Sequence, residues 1–399
     1  METWRKNLYV VLILMFVGQA CFTLVTPFLP YVMKSLDVSE NLGLWSGMAY
    51  SSTFLTSAIV APIWGALADK YGKKTQILRS GVLTAVLYAM YPMAKTPMQF
   101  VVLRGLTGLM SGFSPSATSL VATNTPEHHM GYALGLLQAV SAAGTISGPL
   151  LGGILMELTG IAVTFRLSAC ILVAITLISM LVVREEVTGG HGRINVMGDI
   201  KQAFTNKSLV MVFACLFLVR AGTQVTQPTL VLYIDNLAGG KESSVVSGLI
   251  YSIAGLGTVL GATVIARKTS MTESGSSSRL FLFGILGSAI SMFFQGIWVA
   301  LLPLAFLRFT FGAFNGMLTA SGNVLVATSV NKDFRGRAFG VLSGVLPLGG
   351  FVGPVLGGSV SDVFGIGSSF YAATLVFLLA GVIFSMMTRS KSRLGEETS

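Results

Sequence analysis

Long apolar runs constrain this chain more than any other feature of its sequence. A hydrocarbon core about 30 Å thick is crossed by a helix of roughly 20 apolar residues. Only helices and closed barrels satisfy their backbone in lipid, and runs of this length are too continuous for barrel strands. We therefore predict an all-α integral membrane protein with twelve transmembrane helices. The twelve runs lie at residues 8–33, 44–67, 77–94, 98–121, 131–156, 161–183, 208–234, 245–266, 280–297, 300–329, 338–361 and 366–387.

The boundary between the ninth and tenth runs needs a separate argument. Residues 280–307 contain no charge at all, and their length requires two helices. We place the turn near Gly296.

The composition excludes several other classes of protein. Of the 399 residues, 53% are hydrophobic and only 11% are charged, whereas an average globular chain carries about 25% charged residues. That is too little polar surface for a soluble enzyme, a disordered chain or a disulfide-stapled secreted domain. Cys21, Cys170 and Cys215 fall inside predicted spans, so we expect no disulfide framework.

The distribution of Lys and Arg sets the predicted orientation, because cytoplasmic loops are enriched in both. With the N-terminus inside, 19 of the 26 basic residues fall in cytoplasmic segments, and only Lys34, Lys95 and Lys241 fall in outer loops. We predict that both termini are cytoplasmic. The formal net charge of +10 is spread over short segments that mark topology, so no nucleic-acid partner is expected.

The two halves of the chain repeat one another. Pro27 matches Pro228 and Ser46-Gly47 matches Ser247-Gly248, both at an offset of 201. An offset that drifts only to 205 over six spans indicates a parallel repeat, which is typical of secondary transporters with a site at the repeat interface. We predict an N-terminal six-helix half at 1–183, a cytoplasmic linker at 184–207 and a C-terminal six-helix half with a short tail at 208–399. The later matches are Tyr50-Ser51 with Tyr251-Ser252 (201), Leu103-Arg104 with Leu307-Arg308 (204), Gly148-Pro149 with Gly353-Pro354 (205) and Gly152-Gly153 with Gly357-Gly358 (205).

Three motifs carry a resemblance to a known family. Residues 65–74 (GALADKYGKK), between the second and third spans, resemble the signature loop of the major facilitator superfamily. Leu103-Arg104 with Gly108 and Gly112 resembles the family's fourth-span motif, and residues 144–153 resemble the fifth-span motif of its antiporters. The resemblance covers essentially the whole chain and points to the twelve-span drug:proton antiporter branch, of the bacterial multidrug-resistance type that exports fosfomycin and fluoroquinolones.

That resemblance implies the major facilitator fold, with two six-helix halves around a central cavity. It implies a monomer in the cell membrane of a bacterium, exporting a small amphipathic molecule by alternating access. Protons are the expected coupling ion, and no cofactor is expected.

The signature loop offers a candidate gate. Gly65 and Gly72 allow a helix end and a tight loop to approach their neighbours closely. Asp69 is a solitary acid among bases and can cap a facing helix or pair with Arg79 or Lys73. Such contacts would hold the inner side shut until the halves rock. The alternative is a loop that only marks topology.

The fifth-span motif has a counterpart in the eleventh span. A proline removes one backbone hydrogen bond and allows a bend, and spaced glycines permit close packing. We interpret the motif as a hinge or seal between the halves that does not touch substrate, although plain packing would explain it equally well. Its residues are Gly148, Pro149, Gly152 and Gly153, matched by Gly353 and Pro354.

Charges within spans are costly and usually functional. Arg104 and Arg308 occupy equivalent repeat positions, and the resemblance links Arg104 with proton transfer. Arg220 lies within the seventh span and has Gln19 as its repeat mate. Because the first and seventh helices of this fold line the cavity, we predict a polar substrate cluster there, unless Arg220 only braces the bundle on backbone carbonyls. The cluster comprises Gln19, Arg220, Gln224 and Gln227.

No Asp or Glu lies near the middle of a predicted span, since Glu157, Asp235 and Asp362 all sit near outer ends. A cavity with an arginine and no acid favours anionic or zwitterionic substrates. The proton carrier is then open: Asp235, the substrate's own titrating groups, or uncoupled transport. His128-His129 lack metal-ligand spacing, and no Walker loop is present, so neither a metal site nor ATP-driven transport is predicted.

Two other classes are disfavoured. An intramembrane enzyme would need a nucleophile and base or paired acids within the spans, and a channel would not need a gate-like loop on one half. Among transporters, two substrate classes remain: foreign drugs, or an endogenous anionic or zwitterionic metabolite such as an opine-type or nicotianamine-like metallophore.

Overall fold

The computed structural model describes residues 3–183, 185, 196–240, 242–268, 274–331 and 334–396. These residues form sixteen α-helices joined by short connections. In chain order the helices are α1 Thr3–Leu24, α2 Leu29–Ser35, α3 Leu42–Tyr71, α4 Lys73–Met90, α5 Pro97–Leu109, α6 Phe113–Asn124, α7 Glu127–Thr159, α8 Ile161–Val182, α9 Val196–Thr205, α10 Lys207–Val225, α11 Leu230–Leu237, α12 Ser244–Lys268, α13 Ser274–Ile297, α14 Leu301–Thr328, α15 Arg335–Phe364 and α16 Ser368–Glu396.

The helices account for all twelve predicted spans. Nine helical stretches of the described chain are long and apolar enough to cross a bilayer. The other three predicted spans fall on α3, on α4 and on the pair α5–α6. Basic residues crowd the start of α4, and α5–α6 is interrupted, which explains why those two lack one long apolar stretch. The turn expected near Gly296 follows Ile297, where α13 ends before α14 begins at Leu301.

Three spans are broken, and prolines lie at each break. The first span divides into α1 and α2 around Pro27, and the seventh divides into α10 and α11 around Pro228, its repeat mate. The fourth span divides into α5 and α6 at Gly112, whose φ of +115° places it in the left-handed region that glycine tolerates best. Its counterpart, α14, runs unbroken.

The described chain forms two compact units. The first comprises Met1–Val38, Ser52–Ile194 and Glu242–Ser252, and the second comprises Ser39–Ser51, Asn195–Lys241 and Ile253–Ser399. The first unit therefore includes a short segment from the predicted C-terminal half, Glu242–Ser252, and the second unit includes one from the predicted N-terminal half, Ser39–Ser51. Residues 184 and 186–195 of that linker lie outside the described residues, and α9 follows them. The division into halves at 184–207 stays a prediction.

Within the first unit, α1 packs along α7 and α4 packs along α8. We call the line of contact between two such helices a seam. Lipid tails are as apolar as leucine, so a seam depends on close packing rather than on the hydrophobic effect. Three glycines of α7 supply that closeness, because a Cβ at each of them would collide with the backbone of α1. The pairs are Gly144 with Phe16 O, Gly148 with Ala20 O and Gly152 with Leu24 O.

The second unit repeats this seam. Here α10 packs along α15, and α13 packs along α14 and α16. The glycine pairs are Gly349 with Phe217 O, Gly353 with Ala221 O and Gly357 with Val225 O. Every member lies 201 or 205 positions after its counterpart in the first unit. The sequence repeat is therefore a repeat of packing inside each unit.

Candidate functional site

The predicted cavity residue of the first unit is Gln19, on α1. Its Nε2 donates to Ser114 Oγ at 2.7 Å, and Ser114 stands in the first turn of α6, directly after the break in the fourth span. The Cβ of Gln19 lies against Gly144 of α7. The interrupted fourth span thus places a hydroxyl opposite the Gln19 amide.

The remaining predicted cavity residues belong to the second unit. Arg220 and Gln224 lie one turn apart on α10, with their Cβ atoms against Gly349 and Gly353 of α15. Arg220 is half-buried and Gln224 is buried. Gln227 follows in the turn after α10, where its N–H donates to Gln224 O at 3.2 Å. We call these three residues of the seventh span the polar strip, and a cluster that includes Gln19 stays a prediction.

Arg220 and Gln19 occupy equivalent places. The Cβ of Gln19 lies against Gly144, and the Cβ of Arg220 lies against Gly349, which is the repeat mate of Gly144. Each of the two side chains therefore begins beside the equivalent glycine of its own unit.

The fourth-span arginine is buried inside the first unit, with Arg104 6% exposed. Two threonines of α3 hold the helix that carries it: Thr53 Oγ1 donates to Arg104 O at 2.9 Å, and Thr56 Oγ1 donates to Gly105 O at 2.7 Å. A Cβ at Gly108 would collide with Thr53 O, so this motif glycine allows α5 to approach α3 closely. The backbone around Arg104 is thus fixed by its neighbours.

The repeat mate Arg308 is also buried, at 3% exposed, on α14. Its Nη2 donates to Thr226 Oγ1 at 3.2 Å, at the break of the seventh span. Its guanidinium lies 5.9 Å from the ring centre of Phe311 and 5.6 Å from that of Phe370. Cation–π contacts of this kind help to offset the cost of a buried charge. Asp235, the predicted coupling acid, is buried on α11 of the same unit.

Gly72, within the signature loop, has a φ of +93° and forms the turn between α3 and α4. A Cβ at Gly65 would meet no atom of the described chain within 4 Å, so close approach does not explain that glycine in this conformation. The side chain of Asp69 lies outside the described residues, and its role stays a prediction. Lys73 contributes its backbone N–H, which donates to Glu185 Oε1 at 2.9 Å.

Glu185 makes a contact that the sequence did not predict. Its second oxygen accepts from Lys74 N at 2.7 Å, so one carboxylate caps the N-terminus of α4. A negative charge at a helix N-terminus satisfies free N–H groups and the helix dipole.

The Arg79 side chain makes several specific contacts with neighbouring residues, which a solvated loop cation would not make. Its guanidinium lies 3.2 Å from the ring centre of Trp64, its Nη2 donates to Ser111 O at 2.8 Å, and its Nε donates to Gln76 Oε1 at 3.1 Å. The predicted pairing with Asp69 stays untested, but these contacts place the Arg79 guanidinium at the break in the fourth span. A proline at position 115, inside a predicted span, was the available sequence signal for that break.

The antiporter-motif residues face two neighbours. Besides the α1 seam, α7 contacts the start of α12: Gly248 lies against Pro149 O, Gly153 lies against Ser244, and Ser252 Oγ donates to Ile146 O. In the second unit, Gly47 lies against Pro354 O and Ser51 Oγ donates to Phe351 O at 2.6 Å. Both proline-containing stretches are thus tightly packed on two sides.

Among the described residues, no group of three or more His, Cys, Asp or Glu is arranged to hold a metal ion. Cys21, Cys170 and Cys215 are free thiols.

Repeated glycine seams, buried arginines in spans and broken helices define a secondary transporter. The family model of the major facilitator superfamily matches residues 11–276 and 271–398 of this chain. The chain belongs to the major facilitator superfamily.

Similar proteins agree with that assignment. The multidrug resistance protein MdtG of Enterobacter lignolyticus (strain SCF1) is 32% identical over 97% of this chain and 93% of its own. The MdtG protein of Serratia proteamaculans (strain 568) is 31% identical over 99% of this chain and 97% of its own. Among solved structures, the nucleoside transporter NupG has a TM-score of 0.82 at 14% identity, covering 97% of this chain and 99% of that protein, a likeness of fold alone.

Proposed function

We propose that this transporter exports amphipathic drugs across the bacterial inner membrane. The observation that carries the proposal is the nearly full-length similarity, at 31–32% identity, to proteins named multidrug resistance protein MdtG. The polar positions found in the spans, Gln19 with Ser114 and the strip from Arg220 to Gln227, are suitable contacts for such a molecule. The chain is oriented with both termini in the cytoplasm, as the distribution of Lys and Arg indicates.

Export proceeds by alternating access, and the packing within each unit supports this. The α1–α7 and α10–α15 seams are continuous glycine-to-carbonyl contacts, which suit rigid bodies. The contacts of α7 with the start of α12, and of α15 with the start of α3, include the Ser51 hydroxyl on Phe351 O. In this proposal the two seams stay intact, while the contacts of the proposed hinge or seal at Pro149 and Pro354 break and re-form.

Transport is coupled to protons, with Arg104 and Asp235 as the proposed coupling residues. Both are buried in spans, where a charge is costly unless it has a function. A buried carboxyl such as Asp235 can exchange a proton as its surroundings change. The protein acts as a monomer in this proposal.

A second substrate class is favoured by one observation. Arg220 is a half-buried cation of the seventh span, at the place where the first unit carries the neutral Gln19. An arginine there suits a carboxylate or phosphonate group. An endogenous anionic or zwitterionic metabolite, such as an opine-type or nicotianamine-like metallophore, is therefore the alternative substrate.

One experiment tests drug export and proton coupling together. The protein is expressed in a host that lacks its major efflux pumps, and inside-out vesicles are energised with a proton gradient. We expect uptake of norfloxacin or fosfomycin that collapses with a protonophore, together with raised inhibitory concentrations in whole cells. Absence of gradient-dependent uptake for both drugs contradicts the proposal. Comparing culture media of deletion and parent strains by metabolomics then tests the metabolite alternative.

A further inference from the structure

The fourth span is broken at a defined point, and two residues of its sequence account for the break. Gly112 adopts a left-handed φ of +115° before α6 begins at Phe113. Pro115 follows in the first turn of α6, where it has no N–H to give to the carbonyl of Ser111, and its ring excludes that carbonyl from an unbroken helix. The carbonyl of Ser111 therefore has no helical donor, and the turn at Gly112 separates the carbonyls of Leu109 and Met110 from theirs.

Three consecutive carbonyls at this break are satisfied by side chains from two neighbouring helices. Leaving buried carbonyls without partners would be costly, above all inside a membrane. The donors come from α3 and α4, and each carbonyl accepts one of them. The contacts are Trp64 Nε1 to Leu109 O at 2.7 Å, Ser80 Oγ to Met110 O at 2.6 Å and Arg79 Nη2 to Ser111 O at 2.8 Å. We call Trp64, Arg79 and Ser80 the carbonyl clamp.

Arg79 is the centre of the clamp. Its guanidinium lies 3.2 Å from the ring centre of Trp64, so two donors of the clamp are also in contact with each other. Its Nε donates to Gln76 Oε1 at 3.1 Å, and Gln76 is buried against Gly112. An arginine serves here because a flat, delocalised cation can stack on a ring and donate in its plane at once.

The clamp and the break are absent together from the second half of the sequence. The position equivalent to Pro115 is Thr319, and α14 runs unbroken through it. Residues 280–283, at the offsets of 201 to 204 from Arg79, are all apolar, and the position equivalent to Trp64 is Ile265. Donors and break are therefore paired features of one half only.

The break decides where one cavity residue sits. Ser114 is the second residue of α6, and its Oγ accepts from Gln19 Nε2 at 2.7 Å. In an unbroken span, the helix after position 112 would continue along the axis of α5, and Ser114 would leave this place. The clamp thus fixes the position of the Ser114 hydroxyl relative to Gln19.

We propose that the carbonyl clamp, with Arg79 at its centre, positions α6 for substrate binding. Arg79 does not touch substrate in this proposal; it acts through Ser114 and Gln19. The proposal rests on the proposed function, since it takes Gln19 to be a cavity residue of a drug exporter.

Variants of Arg79 and Pro115 separate positioning from stability. Arg79→Gln removes the guanidinium that donates to Ser111 O, and we expect the KM for norfloxacin in inside-out vesicles to rise about tenfold while kcat changes less than about twofold. Pro115→Thr, the residue of the equivalent position, restores a backbone donor for that carbonyl. The double variant should regain the wild-type melting temperature and keep the raised KM. A wild-type KM in the double variant shows that Arg79 serves stability alone and overturns the proposal.

Milder variants cover the case in which Arg79→Gln does not fold. Trp64→Phe keeps an aromatic ring but removes the indole N–H, and Ser80→Ala deletes one hydroxyl without changing charge. Each should raise KM by about threefold, since each removes one neutral hydrogen bond. Unchanged KM in both overturns the proposal. Arg279→Gln, at an exposed arginine near the start of α13, is the matched control and should leave KM unaltered.

A further variant distinguishes failure of this proposal from failure of the proposed function. Gln19→Leu removes the cavity amide and leaves the clamp intact. A raised KM in Gln19→Leu with a normal KM in every clamp variant overturns the clamp alone. A normal KM in Gln19→Leu removes the cavity assignment on which the clamp proposal depends and overturns that proposal, while drug export stands. Absence of gradient-dependent norfloxacin uptake by the wild-type protein overturns the proposed function itself.

Discussion

The carboxylate of Asp362, near the end of α15, accepts a hydrogen bond from Gly43 N at 2.8 Å. Its other oxygen accepts from Leu44 N at 2.7 Å, so a side chain 318 positions away in sequence caps the N-terminus of α3. Asn41, which precedes the helix, adopts a left-handed φ of +55°. The charge also suits the positive end of the α3 dipole. This cap lies beside the close contact of Gly47 with Pro354.

We predict that Asp362→Asn loosens the contact between α15 and the start of α3. An asparagine retains only one acceptor and no charge, so about 1 kcal/mol of stabilisation should be lost. In a background without native cysteines, Leu44→Cys should react faster with an impermeant maleimide applied to whole cells when Asp362→Asn is present. Glu157→Gln, at the exposed repeat mate of Asp362, is the control. Equal labelling in the two variants contradicts the prediction.

The signature loop gives a second prediction. Asp69→Asn should reduce drug transport at least tenfold while expression and membrane insertion stay near the wild-type level, because a solitary acid at a helix end is expected to hold the gate. Glu40→Gln, at an exposed acid before α3, is the control and should transport normally. Transport rates in vesicles, corrected for protein amount, provide the measurement. Full activity of Asp69→Asn would return the loop to a marker of topology.

A third prediction concerns Arg104, whose backbone is fixed by Thr53 and Thr56. Arg104→Lys keeps the charge and loses the planar fork, so it tests geometry separately from charge. We expect impaired proton-driven transport with retained drug binding, and a larger defect in Arg104→Ala. Binding is measured on purified protein and transport under an imposed pH gradient. The exposed Arg166→Ala is the control. Normal gradient-driven transport in a well-folded Arg104→Ala protein is the contrary outcome.

The twelve spans and the parallel repeat could be predicted because both leave periodic traces in the sequence. Apolar length reveals a helix in lipid, and the offsets of 201 to 205 pair Gly148 with Gly353 before any contact is known. The seams then follow, since spaced glycines have few uses in a span other than close packing.

The contacts at helix ends could not be predicted in the same way. Asp362 meets Gly43 across most of the chain, and no local pattern links two such positions. Arg79 was counted among loop cations, because charge counting treats every basic residue near a span end alike and ignores a stacking partner such as Trp64. Pro115 could have indicated the break in the fourth span. The apolar run continues across that position, however, so hydropathy alone gives no sign of the break.

The place of Arg220 in the second unit sharpens the last prediction. Its Cβ lies against Gly349, as that of Gln19 lies against Gly144, so a glutamine at position 220 has a precedent in the repeat for fitting the same seam. A substitution by glutamine therefore changes the charge with little change in packing. This is the property needed to separate an arginine that braces the bundle from one that contacts substrate.

We predict that Arg220→Gln leaves the melting temperature of the purified protein within a few degrees and weakens binding of the anionic drug fosfomycin. A charge-assisted pair in a low-dielectric cavity supports a loss of about 2 kcal/mol, or roughly thirtyfold in Kd. Binding of a cationic probe such as ethidium should be unchanged or tighter, because the repulsive charge is gone. A bracing arginine predicts the reverse, since its removal leaves buried partners without a donor and lowers stability. Collapsed stability, or unchanged fosfomycin affinity, would therefore identify Arg220 as a brace.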